Sequence, residues 1–193
     1  SIIIDIFFGI WLGIKKAQKA GGFMDKTTSI ITMVFYGLPS WWVGLVMIML
    51  FAFIFPLFPS SGILSVPPPE TFLKRIWDIM YHMFLPVITL VFLNFWARAY
   101  LTRNIVLVSL QEDYIMSARA RGIPERSVLY GHALRTSAPP ILTMSILSLI
   151  NSFSGALVFE GIFSWPGMGN LYWAAVQMND IPVLLGNLSI TTL

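Results

Sequence analysis

Few side chains in this sequence could do chemistry, and their types and spacing do not favour catalysis. The chain has no cysteine and only two histidines, which excludes disulfides, thiolate zinc sites, iron–sulfur clusters and a cysteine nucleophile. His82 and His132 stand in different connections between apolar runs, and neither an HExxH nor a GxSxG pattern occurs. The converging titratable groups that an intramembrane hydrolase or lipid transferase needs are therefore not indicated.

One apolar run carries small polar residues at helical spacing. Ser148, Asn151, Ser152 and Gly155 recur at i, i+3, i+4 and i+7, so they share one face of a helix. Such a face should avoid lipid, and it indicates either a polar pathway or close packing against another helix. The two interpretations are compatible at a subunit interface. We take these four residues as candidates for a translocation path.

Asp5 is the other polar residue in an apolar setting. A carboxylate inside a membrane span is costly and often functional, so Asp5 is either a functional acid or a neutral or partnered acid near the outer surface. Gly9 and Gly13 follow it as a small-xxx-small pair, which is a weak signal for helix contact.

The composition places these residues in membrane helices. Hydrophobic residues make up 56% of the chain and charged residues 11%, against about 25% charged residues in a soluble domain. We predict one all-α domain over residues 1–193, a polytopic transmembrane helix bundle. Complete spans at residues 30–58, 84–100 and 139–159, with partial spans at both ends, give about five crossings. We interpret the sequence as the middle of a longer protein, cut inside a helix at each end.

Charged residues orient this bundle. Lysines cluster after the first apolar run and arginines surround the third connection, so these two connections are predicted to be cytoplasmic. The connection at residues 59–83 has balanced charges, and the one at 160–182 has no lysine or arginine, so both are predicted to be external. The basic residues lie beside spans and form no nucleic-acid-binding motif, which argues against nucleic acid as a partner.

Prolines lead to two local predictions. Pro39 interrupts the run at residues 30–58 and should kink that helix, because proline removes one backbone hydrogen bond. The proline run before residue 70 precedes an amphipathic stretch at residues 72–83, which predicts a separate interfacial helix in the first external loop.

The third connection, residues 110–136, predicts two short helices separated by RGIPE. Gly122 can take the left-handed conformation that ends a helix, and Pro124 suits the first turn of the next. The helices are part apolar and part basic, which is typical of a surface that docks on another protein. The alternative is a loop whose arginines set the topology and contact anionic lipid.

The stretch DYIMSARARGIPERSVLYGHALRTSAPPILT resembles the EAA-type coupling segment of ABC importer permeases, in the form typical of the peptide/nickel subfamily. Met116 stands where the general pattern has a glutamate, and this departure is itself typical of the subfamily. In this family the segment seats in a groove of the cytoplasmic ATPase. The resemblance assigns ATPase coupling to Asp113, Tyr114, Ala118, Arg119, Ala120, Arg121, Gly122, His132, Leu134 and Arg135.

A second stretch, VFEGIFSWPGMGNLYWAAVQMNDIPVLLG, resembles the external segment of the same subfamily. Its Ser-Trp-Pro-Gly sequence predicts a turn, while its tryptophans could also be ordinary interface aromatics. The resemblance implies a folded segment over the pore mouth, beneath the protein that delivers the solute. The candidate external gate or binding-protein contacts are Glu160, Phe163, Trp165, Pro166, Gly167, Gly169 and Asp180.

The resemblance implies a noncatalytic permease subunit in a prokaryotic plasma (inner) membrane. No Gly-x-x-x-x-Gly-Lys-Ser/Thr motif occurs in the sequence, so no cofactor is expected on this chain, and ATP and Mg are expected on partners. The implied partners are a second homologous permease, two cytoplasmic ATPases and an external solute-binding protein. The solute is a peptide, nickel or an oligosaccharide, with a modest preference for peptide. The alternative function is a stand-alone ion-coupled transporter.

Overall fold

The regular structure of this chain is helical wherever the computed structural model describes it, in residues 1–152 and 157–192. This confirms the predicted all-α class. Two π-helical turns lie at Met49–Ile54, directly after the helix Ser40–Ile48, and at Val128–Ala133, directly before the helix Leu134–Asn151. The helices are α1 Ile2–Gln18, α2 Phe23–Tyr36, α3 Ser40–Ile48, α4 Phe72–Leu110, α5 Asp113–Ala120, α6 Glu125–Ser127, α7 Leu134–Asn151, α8 Leu157–Ile162, α9 Met168–Met178 and α10 Ile181–Thr192.

Two stretches among the described residues are long and apolar enough to cross a membrane: α4, and the run Glu125–Asn151 that ends with α7. A third candidate is the pair α2 and α3, if the two helices form one broken span. These stretches overlap the three predicted complete spans. Helices α1 and α10 have 17 and 12 residues, fewer than the ~20 of a full span, so the count of about five crossings stays a prediction.

The predicted kink at Pro39 is a complete break. Helix α2 ends at Tyr36, and Pro39 becomes the N-cap of α3 with an extended ψ of 133°. A residue that precedes proline avoids the helical conformation, so the chain leaves the helix between Gly37 and Pro39. The proline therefore starts a new helix and does not bend an old one.

The predicted separate interfacial helix is wrong, because α4 runs without interruption from Phe72 to Leu110. Residues 72–85 contain no glycine, and Pro86 is tolerated inside the helix. Continuing the helix keeps each backbone group bonded within the segment, which a membrane strongly favours. The preceding loop is tied to α4 by Asp78, whose carboxylate accepts hydrogen bonds from the backbone N and Oγ of Ser65, both at 2.7 Å.

The chain forms two compact units, Ser1–Gly37 with Val91–Ser148, and Leu38–Leu90 with Leu149–Leu193. In the first unit, α1 packs closely on the second half of α4 through Gly9 and Gly13. A Cβ at Gly13 would lie 2.7 Å from the carbonyl oxygen of Ala99, and one at Gly9 would lie 2.9 Å from Cβ of Arg98. The glycine pair is therefore a helix contact.

In the second unit, a buried cluster joins α3, the first half of α4 and α8. Its members are Ile48, Leu85, Phe159 and Phe163. Gly44 leaves room for the aromatic rings, since a Cβ there would lie 3.3 Å from the ring of Phe163. This cluster supports the loop that follows α8.

Candidate functional site

The segment at residues 110–136 folds as two helical pieces around a sharp turn, as predicted. Helix α5 begins at Asp113 and ends at Ala120, and Gly122 adopts a left-handed φ of +74°. Pro124 is the N-cap of α6, one position before the predicted first turn. The second piece is not a separate helix, because α6 continues through the π-helical turn into α7.

The two helical pieces of this hairpin, residues 110–136, pack on each other. Ile115, Ala118, Val128 and Ala133 form a buried cluster, and Ala118 is only 1% exposed. Leu134 packs against a neighbouring core that includes Leu129. Two of the predicted coupling residues, Ala118 and Leu134, therefore pack in the protein interior and fix the position of the segment.

The remaining coupling candidates lie on or near the surface. The Tyr114 hydroxyl donates to Oγ1 of Thr136 at 2.8 Å, which ties α5 to α7. Arg119 bridges the turn to Glu125 through two hydrogen bonds, Nε to Oε1 at 2.7 Å and an NH2 group to Oε2 at 3.2 Å. His132 is half-buried in the π-helical turn. The exposed candidates are Asp113, Tyr114, Arg119, Ala120, Arg121, Gly122 and Arg135.

Buried charges near the other cytoplasm-predicted connection were missed by the sequence interpretation. Arg103 on α4 holds the buried carboxylate of Asp25 by two hydrogen bonds of 2.9 and 2.6 Å. The backbone N of Gly21 donates to the same carboxylate at 2.9 Å. Lys16, predicted only as a topology signal, is 0% exposed and donates to Oγ of Ser29 at 3.3 Å. The one available signal was an acid in a lysine-rich connection, Asp25, which stands three residues after the Gly21-Gly22 pair.

Asp5 is a partnered acid. Its side chain is buried, and its Oδ2 lies 3.4 Å from an NH2 group of Arg98. Asp5 was predicted to be either a functional acid or a neutral or partnered acid. The structure supports a partnered acid, because Arg98 lies within ion-pair distance. The pair lies at the same α1–α4 contact as Gly9.

The candidate path face is only partly described. The hydroxyl of Ser148 donates to the Met144 carbonyl at 2.8 Å, and that of Ser152 donates to the Leu149 carbonyl at 2.6 Å. Asn151 ends α7, and both Asn151 and Ser152 are exposed. Gly155 lies outside the described residues.

The stretch at residues 160–182, predicted to be external, is a folded helix–turn–helix segment held by Glu160. The carboxylate of Glu160 on α8 accepts a hydrogen bond from the backbone N of Asn170, in the first turn of α9, at 3.0 Å. It also fills the space where a Cβ of Gly167 would stand. An acid at a helix N-terminus satisfies a free N–H and complements the helix dipole. The Glu160 carboxylate, for which Gly167 leaves room, therefore caps the N-terminus of α9.

Three of the other candidates in this stretch, Phe163, Trp165 and Asp180, also make contacts that stabilise it. Phe163 is 1% exposed, and its carbonyl accepts a hydrogen bond from Gly62 N at 2.9 Å. Trp165 packs against the buried cluster of Ile48, Leu85, Phe159 and Phe163. Asp180 accepts from the backbone N of Val183 at 3.2 Å at the start of α10. Gly169 is buried, and Pro166 is exposed.

No group of three or more histidine, aspartate or glutamate side chains that could hold a metal ion occurs within residues 1–152 and 157–192. Among the described residues, Arg98, Arg103 and Arg119 form ion pairs with Asp5, Asp25 and Glu125. The charged side chains of the described residues therefore form ion pairs and exposed surfaces, which suit a role in binding and in conformational change.

The sequence matches the family described as binding-protein-dependent transport system inner membrane component over residues 5–193. It is 35% identical over 196 residues to the peptidoglycan transport system permease protein YejB of Agrobacterium fabrum, covering 100% of this chain and 54% of that protein. It is 33% identical over 191 residues to the di/tripeptide transport system permease protein DppB of Pseudomonas aeruginosa, covering 92% and 57%.

The dipeptide transport system permease protein DppB of Escherichia coli is 34% identical over 203 residues, covering 96% of this chain and 60% of that protein. The chain thus spans between half and two thirds of the length of these relatives. The family match includes both stretches that carried the resemblance. The chain therefore belongs to the binding-protein-dependent transport system inner membrane component family, and it is similar to permease proteins of peptide transport systems.

Proposed function

We propose that this chain is the transmembrane subunit of an ATP-driven importer and forms the solute pathway with a second, related permease. Two cytoplasmic ATPases bind ATP and Mg, and an external binding protein delivers the solute. The chain contributes the membrane path and the surface that receives the ATPase movement. Family membership and the coupling-type segment support this proposal.

The observation that carries the proposal is the division of the hairpin, residues 110–136, into a buried face and an exposed turn. Ile115 and Ala118 pack α5 against Val128 and Ala133, and the neighbouring Leu129 and Leu134 join a core cluster with α1 and α4. Ala120, Arg121 and Gly122 are exposed. A rigidly anchored turn can transmit a displacement to the helix behind it, whereas a loose loop would absorb it. The π-helical turn and α7 follow directly, so a push on the turn reaches the helix that carries Ser148 and Asn151.

The experiment is a disulfide crosslink between the full-length permease and its ATPases. This sequence has no cysteine, so none of its own residues competes with an introduced cysteine. We expect Ala120→Cys to form a disulfide with a cysteine in the ATPase groove, with a yield that changes on addition of ATP. Ala118→Cys is the matched control, because it lies two positions away on the same helix but is 1% exposed. Ala20→Cys, exposed in the other connection, controls for random collision.

A crosslink at position 120 that is absent at 118 and 20 and responds to ATP supports the coupling role. Equal crosslinking at positions 120 and 20 would point to nonspecific collision. No crosslink at 120 or along the turn, with the ATPases present and folded, would refute the coupling assignment.

We propose a peptide as the solute, supported by the names of two relatives described above, which are permeases for di/tripeptides and for dipeptides. Uptake of a labelled dipeptide, a longer peptide, nickel and an oligosaccharide into vesicles that contain the complete importer tests this. Dominant uptake of nickel or of the oligosaccharide would overturn the peptide assignment.

We also propose roles for the two remaining candidate sets. Asn151 and Ser152 are polar and exposed at the end of an apolar helix, so they face either the path or the second permease. The external segment is rigid because Glu160 and Phe163 hold it, and its exposed surface, which includes Pro166, is the proposed contact for the binding protein.

A further inference from the structure

A cavity of about 500 Å³ opens in the first unit between the end of α1 and the α5–α6 part of the hairpin. Lys15 and Lys19 stand on the α1 side, and Arg119 and Arg126 stand on the hairpin side. The one carboxylate in the lining, that of Glu125, is already bonded to Arg119. The lining of the cavity therefore carries four cationic side chains and one carboxylate.

The floor of this cavity is apolar. Ala17 and Leu129 belong to a buried core, and Leu110 packs against it. At the rim, Nε2 of Gln18 donates to the hydroxyl of Tyr130 at 3.2 Å, which connects the two walls. A polar, cationic rim above an apolar floor fits a ligand that carries a compact anion on an apolar body.

The cavity lies where apolar helices give way to basic connections. Lys15 follows the apolar residues of α1 directly, and Leu129 lies in the turn that leads into α7. In the orientation proposed above, this is the cytoplasmic surface of the membrane. Basic pockets between transmembrane helices on that side are suited to anionic lipid headgroups, whose phosphates are concentrated there.

We propose that this cavity binds the phosphate group of an anionic phospholipid of the cytoplasmic leaflet, with Lys19 and Arg126 contacting it from opposite walls. The lipid braces the hairpin against α1. This proposal rests on the membrane orientation proposed above and not on the coupling role of the hairpin.

The test uses the full-length permease with its partners in nanodiscs that contain phosphatidylglycerol and phosphatidylcholine in equal amounts. Native mass spectrometry counts the lipids retained after release. We expect preferential retention of phosphatidylglycerol, and we expect Lys19→Gln and Arg126→Gln each to lower it about fivefold, as for one cation lost at a membrane surface. Lys26→Gln is the matched control, since Lys26 is an exposed lysine of the same connection outside the cavity. Lys19→Arg should keep the retention.

Three results would overturn the proposal. The first is equal retention in the Lys19→Gln, Arg126→Gln and Lys26→Gln variants. The second is displacement of the lipid by an excess of inorganic phosphate, which would mark a site for free phosphate. The third is loss of the ATPase from the purified complex in the Lys19→Gln and Arg126→Gln variants with unchanged lipid retention, which would mark an acidic protein contact. Failure of the crosslink at position 120 with intact lipid preference would refute the coupling role alone.

Discussion

The buried ion pair of Asp25 and Arg103 makes a quantitative prediction. Asp25→Asn keeps the shape of the side chain but removes the negative charge, so Arg103 and the nearby buried Lys16 lose their counter-charge. Breaking a buried pair from one side costs about 3–5 kcal/mol, because the remaining ion stays desolvated. We expect the free energy of unfolding to fall by about 3 kcal/mol, the lower end, since the Arg103 side chain is 21% exposed.

The matched control is Glu125→Gln, the same change in the exposed pair with Arg119. The two side chains of that pair are 70% and 41% exposed, so removing the charge should cost about 0–1 kcal/mol. The double variant Asp25→Asn with Arg103→Gln should recover part of the loss, because it leaves one fewer uncompensated ion.

The assay is reversible denaturation of the full-length protein in a fixed detergent–lipid mixture, followed by tryptophan fluorescence and circular dichroism. The variants Asp25→Asn, Glu125→Gln and the double variant are compared with the parent protein. A loss for Asp25→Asn no larger than that for Glu125→Gln would refute the claim that a buried pair fixes α2 to α4.

Three further predictions concern glycines and the path face. Gly122→Ala should weaken ATP-dependent crosslinking from the turn and cost about 1 kcal/mol through its left-handed φ, whereas Gly131→Ala, which meets no atom within 4 Å and has no positive φ, should be neutral. Asn151→Leu should abolish most solute uptake with the purified complex intact; loss of the second permease from the complex instead would assign Asn151 to packing. Gly167→Ala should displace the carboxylate that caps α9, cost about 1 kcal/mol and weaken capture of the solute-binding protein, as judged by co-purification. Its control, Gly161→Ala, enters open space and should change neither measurement.

The helical class and the position of the hairpin could be predicted from the sequence because each rests on local signals. Apolar runs must form helices in a membrane, and Gly122 followed by Pro124 marks a turn with little dependence on distant residues. The same local logic placed Gly9 and Gly13 at a helix contact, which the structure shows against α4.

The pairing of charges could not be predicted in this way, because it depends on which helices meet. Lys16 has the same local context as Lys15, yet one is fully buried and the other is exposed. Asp25 lies 78 residues from Arg103, and no pattern in one sequence connects them. The unbroken α4 was missed for a related reason, since a proline run and an amphipathic stretch also describe a separate surface helix.

The central claim is that ATP hydrolysis on partner subunits drives solute through this chain. The most direct measurement is peptide uptake into proteoliposomes that contain the full-length permease, its partner permease, both ATPases and the external binding protein. We predict uptake that requires ATP and Mg, persists without any ion gradient and is lost when the ATPases are omitted. Uptake driven by a proton or sodium gradient without the ATPases would contradict the account and identify an ion-coupled transporter.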